Sequence, residues 1–199
     1  KIYEKDEIRG YVPDQDITAP WWASKAEDWC KLAAENDFWQ GGFVWTGFDY
    51  RGEPTPYKWP NVNSHFGIMD VCGFPKNIYY YYKSWWTDED VIHISPHWNW
   101  NEKIGQPIEV WVNSNADDVE LFLNGKSLGK KTMPRNSHLK WEVTYEPGTL
   151  EAIGYKKGKK ISTKVETTST PYKVIATTEK NILTADGKDA TVVNISIVD

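Results

Sequence analysis

The chain has 199 residues and a formal net charge of -5, a length that allows one or two domains. Its mild acidity argues against a nucleic-acid-binding protein, because such proteins need a basic face to meet phosphates. No run of about 18 apolar residues is present, so the sequence predicts no membrane span. Enzymes and binding modules of a globular kind therefore remain as function classes.

Tryptophan is distributed unevenly along the chain. Of the 12 tryptophans, ten fall within residues 1–100, and the remainder of the sequence is richer in threonine, valine and lysine. Residues 1–20 are polar and predict a surface loop. The change in composition predicts an aromatic-rich first region that ends near residue 90 and a β-rich region after it.

Two helices are predicted in the first region. Ser24 and Glu27 have the spacing of a capping box at a helix start, and Asn36 marks the end of that helix. Pro75 predicts the first turn of a second helix over residues 76–86, whose apolar side chains recur on one face. Both helices are therefore expected to pack on a sheet.

Between these helices lies the sequence QGGFVWTGFDYRGEPTP, at residues 40–56. Its apolar first half lacks polar alternation, which predicts a strand over residues 42–49 that is buried on both faces. Glycines and prolines end this strand, so Trp45 and Asp49 are expected where it opens into a loop. An indole face and a carboxylate suit the C–H face and the hydroxyls of a sugar ring.

Beyond a charged linker at residues 87–91, the apolar period changes to two. Strands are predicted at residues 108–113, 118–129 (a hairpin that turns at Asn124-Gly125), 139–143, 150–155 and 161–165. Short strands at this spacing indicate an immunoglobulin-like sandwich.

A threonine-rich linker at residues 167–171 precedes the last segment. Strands are predicted there at residues 173–176, 182–183 and 190–198, with a turn at residues 185–187. Three strands are too few for a closed sandwich. By resemblance, this segment is similar to the opening of a further bacterial immunoglobulin-like domain.

Three consecutive motifs carry a family resemblance. Residues 41–57 (GGFVWTGFDYRGEPTPY), 64–70 (SHFGIMD) and 73–77 (GFPKN) resemble the last barrel strand and the following loop of glycoside hydrolase family 2 β-galactosidases. Within the β-rich region, residues 96–100, 119–126 and 145–150 are similar to the β-sandwich that follows the barrel in many of these enzymes.

The resemblance implies an α+β multidomain fragment with three parts. Residues 1–90 would be the last β/α segment of a TIM barrel, residues 91–168 an immunoglobulin-like β-sandwich, and residues 169–199 the first strands of a second one. A complete barrel needs about 250 residues, so the resemblance implies only the C-terminal piece of a β-galactosidase.

Family 2 enzymes are retaining, so two glutamates about 5–5.5 Å apart would cleave terminal β-galactosides by double displacement. The motifs that carry these glutamates do not occur within residues 1–90, the part that resembles the barrel. The resemblance therefore implies no catalytic residue in this chain, no cofactor and no metal, and an inactive isolated chain. Its partners would be a galactoside or oligosaccharide substrate, the N-terminal remainder of the enzyme and a second subunit of a homo-oligomer.

By the same resemblance, Trp45 would be the platform for the sugar at the cleavage subsite. Asp49, Glu53, Trp59 and His65 would lie near the mouth of the pocket. Each of these residues also has a structural interpretation: Trp45 as barrel core, Asp49 as an acceptor for loop N–H groups, and the other three as parts of the loop.

Two other functions are compatible with the sequence. A non-catalytic carbohydrate-binding or adhesion module would explain the tryptophans and the β repeats without catalysis. A structural spacer would explain the threonine-rich linkers, but not a buried strand that ends in WTGFDY. The residues do not reveal a compartment, and an extracytoplasmic bacterial enzyme is favoured over a cytoplasmic one.

Overall fold

The computed structural model describes residues 22–55 and 57–199, and the chain divides into two compact units between Glu166 and Thr167. The predicted surface loop at residues 1–20 lies outside the described residues. Two helices lie in the described part of the first unit, α1 (Ala26–Glu35) and α2 (Asn77–Trp86). The described residues contain no helix that is both long and apolar enough to cross a bilayer.

Antiparallel strands follow α2 in the first unit. They are β1 (Ile92–Ser95), β2 (Pro107–Ser114), β3 (Asp118–Leu123), β4 (Lys126–Thr132), β5 (Leu139–Thr144), β6 (Thr149–Lys156) and β7 (Lys159–Glu166). One sheet has the order β1-β2-β5, and the other has the order β4-β3-β6-β7. The β structure predicted from the period of two is confirmed, whereas β1 was not predicted.

An apolar core lies between the two sheets, and a smaller cluster of Ala26, Cys30, Tyr81 and Tyr82 lies between the helices. Alternate residues of β2 (Ile108, Val110 and Val112) and of β3 (Val119 and Leu121) are fully buried in the core between the sheets. Each such side chain contributes about 1.5–3 kcal/mol when it leaves water. The inward-facing half of the alternating pattern therefore holds the sandwich together.

The β3–β4 hairpin turns at Asn124-Gly125, as predicted. Both residues have positive φ, 50° and 79°, which is the geometry of a type I′ turn. The Asn124 side chain also accepts a hydrogen bond from the Thr149 amide at 2.9 Å and donates one to the Pro147 carbonyl at 3.2 Å. The turn is therefore tied to the start of β6.

Helix α1 begins differently from the sequence prediction. Its N-cap is Lys25, and no side chain caps it. The Glu27 carboxylate instead accepts hydrogen bonds from Ser137, at 2.7 Å, and from Lys31, and it pairs with the imidazole of His138. The capping-box prediction at Ser24 was wrong because partners 110 and 111 residues away satisfy the carboxylate.

Helix α2 begins one residue later than predicted, with Lys76 as its N-cap. Its Tyr81 hydroxyl donates to the Asn136 carbonyl at 2.9 Å, and the Trp85 indole donates to the Ser137 carbonyl at 3.1 Å. The ring of Trp85 also packs against the sandwich core. The loop between β4 and β5 is thus the surface on which this helix is held.

The predicted buried strand over residues 42–49 is not present as a strand. Phe43, Trp45 and Phe48 are 106%, 72% and 54% exposed, and Phe48 makes only an isolated parallel bridge with Met69. An apolar run becomes a buried strand only where sheet neighbours cover it. Within the described residues, the backbone of this segment is paired along one side only.

The second unit contains β8 (Lys173–Thr178) and β9 (Val193–Val198), which pair antiparallel. The predicted strand at residues 182–183 is wrong: these residues lie outside any strand, and Ile182 is 87% exposed. The predicted turn is present, because the Asp186 carboxylate accepts hydrogen bonds from the amides of Lys188 and Asp189, both at 2.8 Å.

Candidate functional site

The segment that carries Trp45 is held by its backbone. Residues 46–52 pair with residues 62–69 through main-chain hydrogen bonds, among them the Asp49 amide to the Met69 carbonyl and the Gly52 amide to the Val62 carbonyl, both at 2.9 Å. The two segments touch at Gly67, where an added Cβ would lie 2.2 Å from the Asp49 amide nitrogen. Only glycine allows this approach.

Tyr50 is fixed at both of its main-chain polar groups. Its amide donates to the Ser64 hydroxyl at 3.1 Å, and its carbonyl accepts from the Ser64 amide at 2.7 Å. Ser64 is fully buried, so water does not compete for these bonds. The position of the Tyr50 ring therefore starts from a well-defined backbone.

The Trp45 indole stands in solvent, 72% exposed. Its Nε1 donates a hydrogen bond to the Tyr50 hydroxyl at 3.0 Å, and that hydroxyl donates in turn to Oε2 of Glu53. The Trp45 and Tyr50 rings meet edge to face, with centroids 6.1 Å apart. Two predicted site residues, Trp45 and Glu53, are thus joined through a tyrosine that the sequence reasoning missed.

Asp49 faces away from this surface and into the loop. Its Oδ1 accepts a hydrogen bond from the Gly67 amide at 2.8 Å and forms an ion pair with Lys76 Nζ, also at 2.8 Å. The two side chains of this pair are only 10% and 16% exposed. Asp49 therefore connects the loop to the start of α2, and Lys76 is a second residue that sequence reasoning missed.

The remaining predicted residues lie further along the loop. The His65 ring meets Tyr57 edge to face at 4.9 Å, and burial lowers the pKa of His65, with Asp49 opposing and Lys76 reinforcing the shift. Its Nε2 is buried without a hydrogen-bond partner among the described residues. Trp59 is 84% exposed, and within residues 22–55 and 57–199 no hydrogen bond or ring contact joins it to Trp45.

Known proteins resemble this chain over most of its length. It is 49% identical over 181 residues to the β-galactosidase BoGH2A of Bacteroides ovatus, a match that covers 89% of the chain and 21% of that protein. A crystal structure of a β-glycosidase from Bacteroides vulgatus superimposes with a TM-score of 0.80 at 35% identity, over 88% of the chain and 22% of that protein.

A third comparison names the family. A glycosyl hydrolase family 2 member from Bacteroides cellulosilyticus superimposes with a TM-score of 0.79 at 29% identity, over 87% of the chain and 27% of that protein. The chain belongs to glycoside hydrolase family 2. Within this family 2 chain, residues 105–162 match a domain family described as a domain of unknown function (DUF4982).

This family 2 chain spans about a fifth of the length of the first curated relative that it matches, 21%. A putative β-glucuronidase of Formosa agariphila is 43% identical over 156 residues, which is 75% of the chain and 15% of that relative. The relatives are therefore named for two different activities, one for a galactosidase and one for a glucuronidase.

The family 2 chain offers no metal centre within its described part, where no three His, Cys, Asp or Glu side chains are grouped to hold an ion. Its chemistry at this site is instead that of an exposed aromatic face with a hydroxyl and a carboxylate beside it. An indole N–H can only donate, so a hydroxyl near Trp45 was a candidate acceptor, but nothing in the sequence singled out Tyr50.

Proposed function

We propose that this chain is the C-terminal part of a retaining β-galactosidase of family 2, in which Trp45 is the platform on which the sugar stacks. Both catalytic glutamates would lie upstream of the chain. The observation that carries the proposal is the Trp45 indole, which is 72% exposed and yet held by a hydrogen bond to Tyr50. An aromatic face that is ordered but uncovered suits a ligand with an apolar C–H face.

The choice of galactoside rests on the more similar of two curated relatives. The relative named a β-galactosidase is 49% identical to the chain, and the relative named a putative β-glucuronidase is 43% identical. Double displacement at a β-galactoside is therefore the reaction that we propose for the whole enzyme.

We also propose that residues 1–90 are the last part of the catalytic barrel. Support comes from helix–extended segment–helix order and from the parallel bridge between Phe48 and Met69, since barrel strands are parallel. Exposed Phe43 and Phe48 would then be covered by upstream strands. Residues 91–168 would form the sandwich and residues 169–199 the start of a second one.

In the reaction itself, this chain would act on binding and orientation. The indole of Trp45 would hold the sugar ring at the cleavage subsite while an upstream acid and nucleophile act on the glycosidic bond. Such binding speeds the reaction only if it is tighter in the transition state. The pair of Asp49 and Lys76 would keep the loop in place, and Glu53, Trp59 and His65 would lie at the pocket mouth.

Activity measurements test this proposal in two steps. The purified chain should show no turnover of a nitrophenyl β-galactoside. In the complete enzyme, Trp45→Ala should lower kcat/KM about 100-fold, a loss of about 2.7 kcal/mol of transition-state stabilisation. Tyr172→Ala, which removes an exposed aromatic of the second unit, is the matched control. Robust turnover by the isolated chain would refute the proposal.

A second candidate, a non-catalytic carbohydrate-binding or adhesion module, is favoured by the exposure of Phe43, Trp45 and Trp59. Calorimetric titration of the isolated chain with galactose and lactose separates the two. The enzyme-part proposal expects little heat, because most of the pocket would be upstream. A module would bind, and Trp45→Ala would abolish the binding.

A further inference from the structure

The side chains of Trp45, Tyr50 and Glu53 form a hydrogen-bonded series in which each end group can take only one role, as donor or as acceptor. An indole N–H can only donate, and an ionised carboxylate can only accept. The Tyr50 hydroxyl must therefore accept from Trp45, over 3.0 Å, and give its own proton to Glu53. The arrangement follows from the chemistry of the groups and does not depend on where hydrogens are placed.

The middle residue of this hydrogen-bonded series, Tyr50, has a fixed backbone. Ser64, fully buried, binds the amide and the carbonyl of Tyr50, so the tyrosine backbone cannot shift without breaking both bonds. The Trp45 ring, in contrast, is 72% exposed, and packing restricts it little. Among residues 22–55 and 57–199, the hydrogen bond from Nε1 and the edge-to-face contact with Tyr50 are therefore the restraints on the indole plane.

We propose that Tyr50 and Glu53 are positioning residues that set the plane of the Trp45 indole for stacking against the sugar. This inference rests on the proposed function of Trp45. A free side chain occupies several rotamers, and ordering it upon binding costs affinity. Fixing the ring in advance lets the sugar meet an aromatic face that already has the required tilt.

Glu53 strengthens the arrangement through its charge. Hydrogen bonds with an ionised partner are about twice as strong as those between neutral groups. The hydrogen bond to Glu53 raises the pKa of Tyr50, so the hydroxyl stays protonated and keeps its proton on the Glu53 side. The oxygen lone pair then remains available for the indole N–H.

The first test examines the isolated chain by NMR of the ¹⁵N-labelled indoles. Tyr50→Phe and Glu53→Ala should each shift the Trp45 Nε1–H resonance and speed its exchange with solvent. Glu53→Gln, which keeps an acceptor oxygen, should have a smaller effect, and Tyr172→Phe should have none. If neither Tyr50→Phe nor Glu53→Ala changes the position or the solvent exchange of the Trp45 Nε1–H resonance, the inference is overturned.

The second test is a double-mutant cycle in the complete enzyme. Tyr50→Phe should lower kcat/KM about tenfold in the parent, the effect expected for one hydrogen bond, with an unchanged melting temperature. It should have no effect in a Trp45→Phe background, because phenylalanine has no N–H to position. An equal loss in both backgrounds would assign Tyr50 a role unrelated to Trp45 and would overturn the inference.

The two proposals fail in different ways. If Trp45→Ala leaves hydrolysis unchanged, the proposed function is wrong and the positioning role falls with it. If Trp45→Ala lowers kcat/KM and neither Tyr50→Phe nor Glu53→Ala does so, only the positioning role is wrong. Glu53→Ala removes the hydrogen bond to Tyr50 by changing an exposed side chain. The test therefore remains decisive even if Tyr50→Phe folds poorly.

Discussion

The sandwich and the helix-containing segment before it, residues 22–86, are stabilised in different ways. In the sandwich, Trp98, Ile108, Leu121 and other core side chains are completely buried between two sheets. The preceding segment has a much smaller buried cluster, of Ala26, Cys30, Tyr81 and Tyr82. Its aromatics Phe43 and Trp45 stand in solvent, and main-chain hydrogen bonds hold the loop that carries them. Burial therefore dominates in the sandwich, whereas the segment before it relies more on polar contacts.

Where the two regions meet, polar and titratable contacts lie beside the packing of Trp85 on the sandwich core. Glu27 of α1 pairs with His138, and Asn77 of α2 pairs with His93 at 2.7 Å. The His93 ring also stacks on Tyr80, with centroids 3.6 Å apart. Acid should therefore loosen the helices from the sandwich without removing the apolar core.

The largest expected effect tests the contrast in burial directly. Trp98→Ala should lower the free energy of unfolding by about 3–5 kcal/mol, because it leaves a cavity and removes the indole hydrogen bond to the Glu146 carbonyl. Phe43→Ala, at a side chain that is 106% exposed, should change it by about 0.5 kcal/mol or less. Urea unfolding of the two variants measures both values. Similar losses of free energy of unfolding would show that burial does not distinguish the sandwich from the segment before it.

The second prediction concerns His93 at the contact between α2 and β1. Burial lowers the pKa of His93 from 6.5 to about 4, so between these pH values the unfolded chain binds a proton that the folded chain does not. Stability should therefore fall as the pH falls from 6.5 to 4, by up to about 3 kcal/mol. Urea unfolding of the parent and of His93→Gln at several pH values measures this difference.

In this experiment the stability of His93→Gln should depend less on pH, so its deficit relative to the parent should shrink in acid. Parallel pH profiles for the two proteins would show that the imidazole is not desolvated in the folded chain. The helices would then be joined to the sandwich by something other than a buried neutral histidine.

The smallest expected effect is that of Glu27. Burial raises its pKa, but hydrogen bonds from His138, Lys31 and Ser137 outweigh burial and lower the pKa from 4.5 to about 2. The folded-state pKa is thus below the unfolded one, so this contribution is full above pH 4.5 and is lost as the pH falls towards 2. Allowing for solvent screening, we expect about 2 kcal/mol.

Glu27→Gln should therefore be less stable than the parent at pH 7 and approach it near pH 2, as measured by urea unfolding. Asp28→Asn, at an exposed position of the same helix, provides the control and should follow the parent. If Asp28→Asn and Glu27→Gln behave alike, the contact with the sandwich is not what holds α1.

The sandwich could be predicted from the sequence because its information is local. Alternating apolar residues and the Asn124-Gly125 turn act within a few positions of one another. The strand at residues 42–49 and the capping box at Ser24 could not be judged in this way. The strand depends on sheet neighbours. The capping box does not form because Glu27 pairs instead with His138, which lies 111 residues away.

The candidate site shows the same distinction between residues that the sequence indicates and residues that only the folded geometry reveals. Trp45, Asp49, Glu53, Trp59 and His65 were selected by resemblance and by residue type, and their role in substrate binding stays a prediction. Tyr50 and Lys76 were not predicted, because the folded geometry alone determines that they pair with Trp45 and Asp49. A tyrosine or a lysine in a loop carries no mark in the sequence that distinguishes it from a solvated side chain.

Gly67 has a consequence for anyone who wishes to redesign this loop. Because a Cβ there would come within 2.4 Å of the Met69 carbonyl oxygen, a mutant library should leave that position constant. Trp59, whose side chain is 84% exposed, can accept chemical diversity without disturbing its neighbours. Room for engineering is thus found at the solvent-facing positions and is absent where the two segments touch.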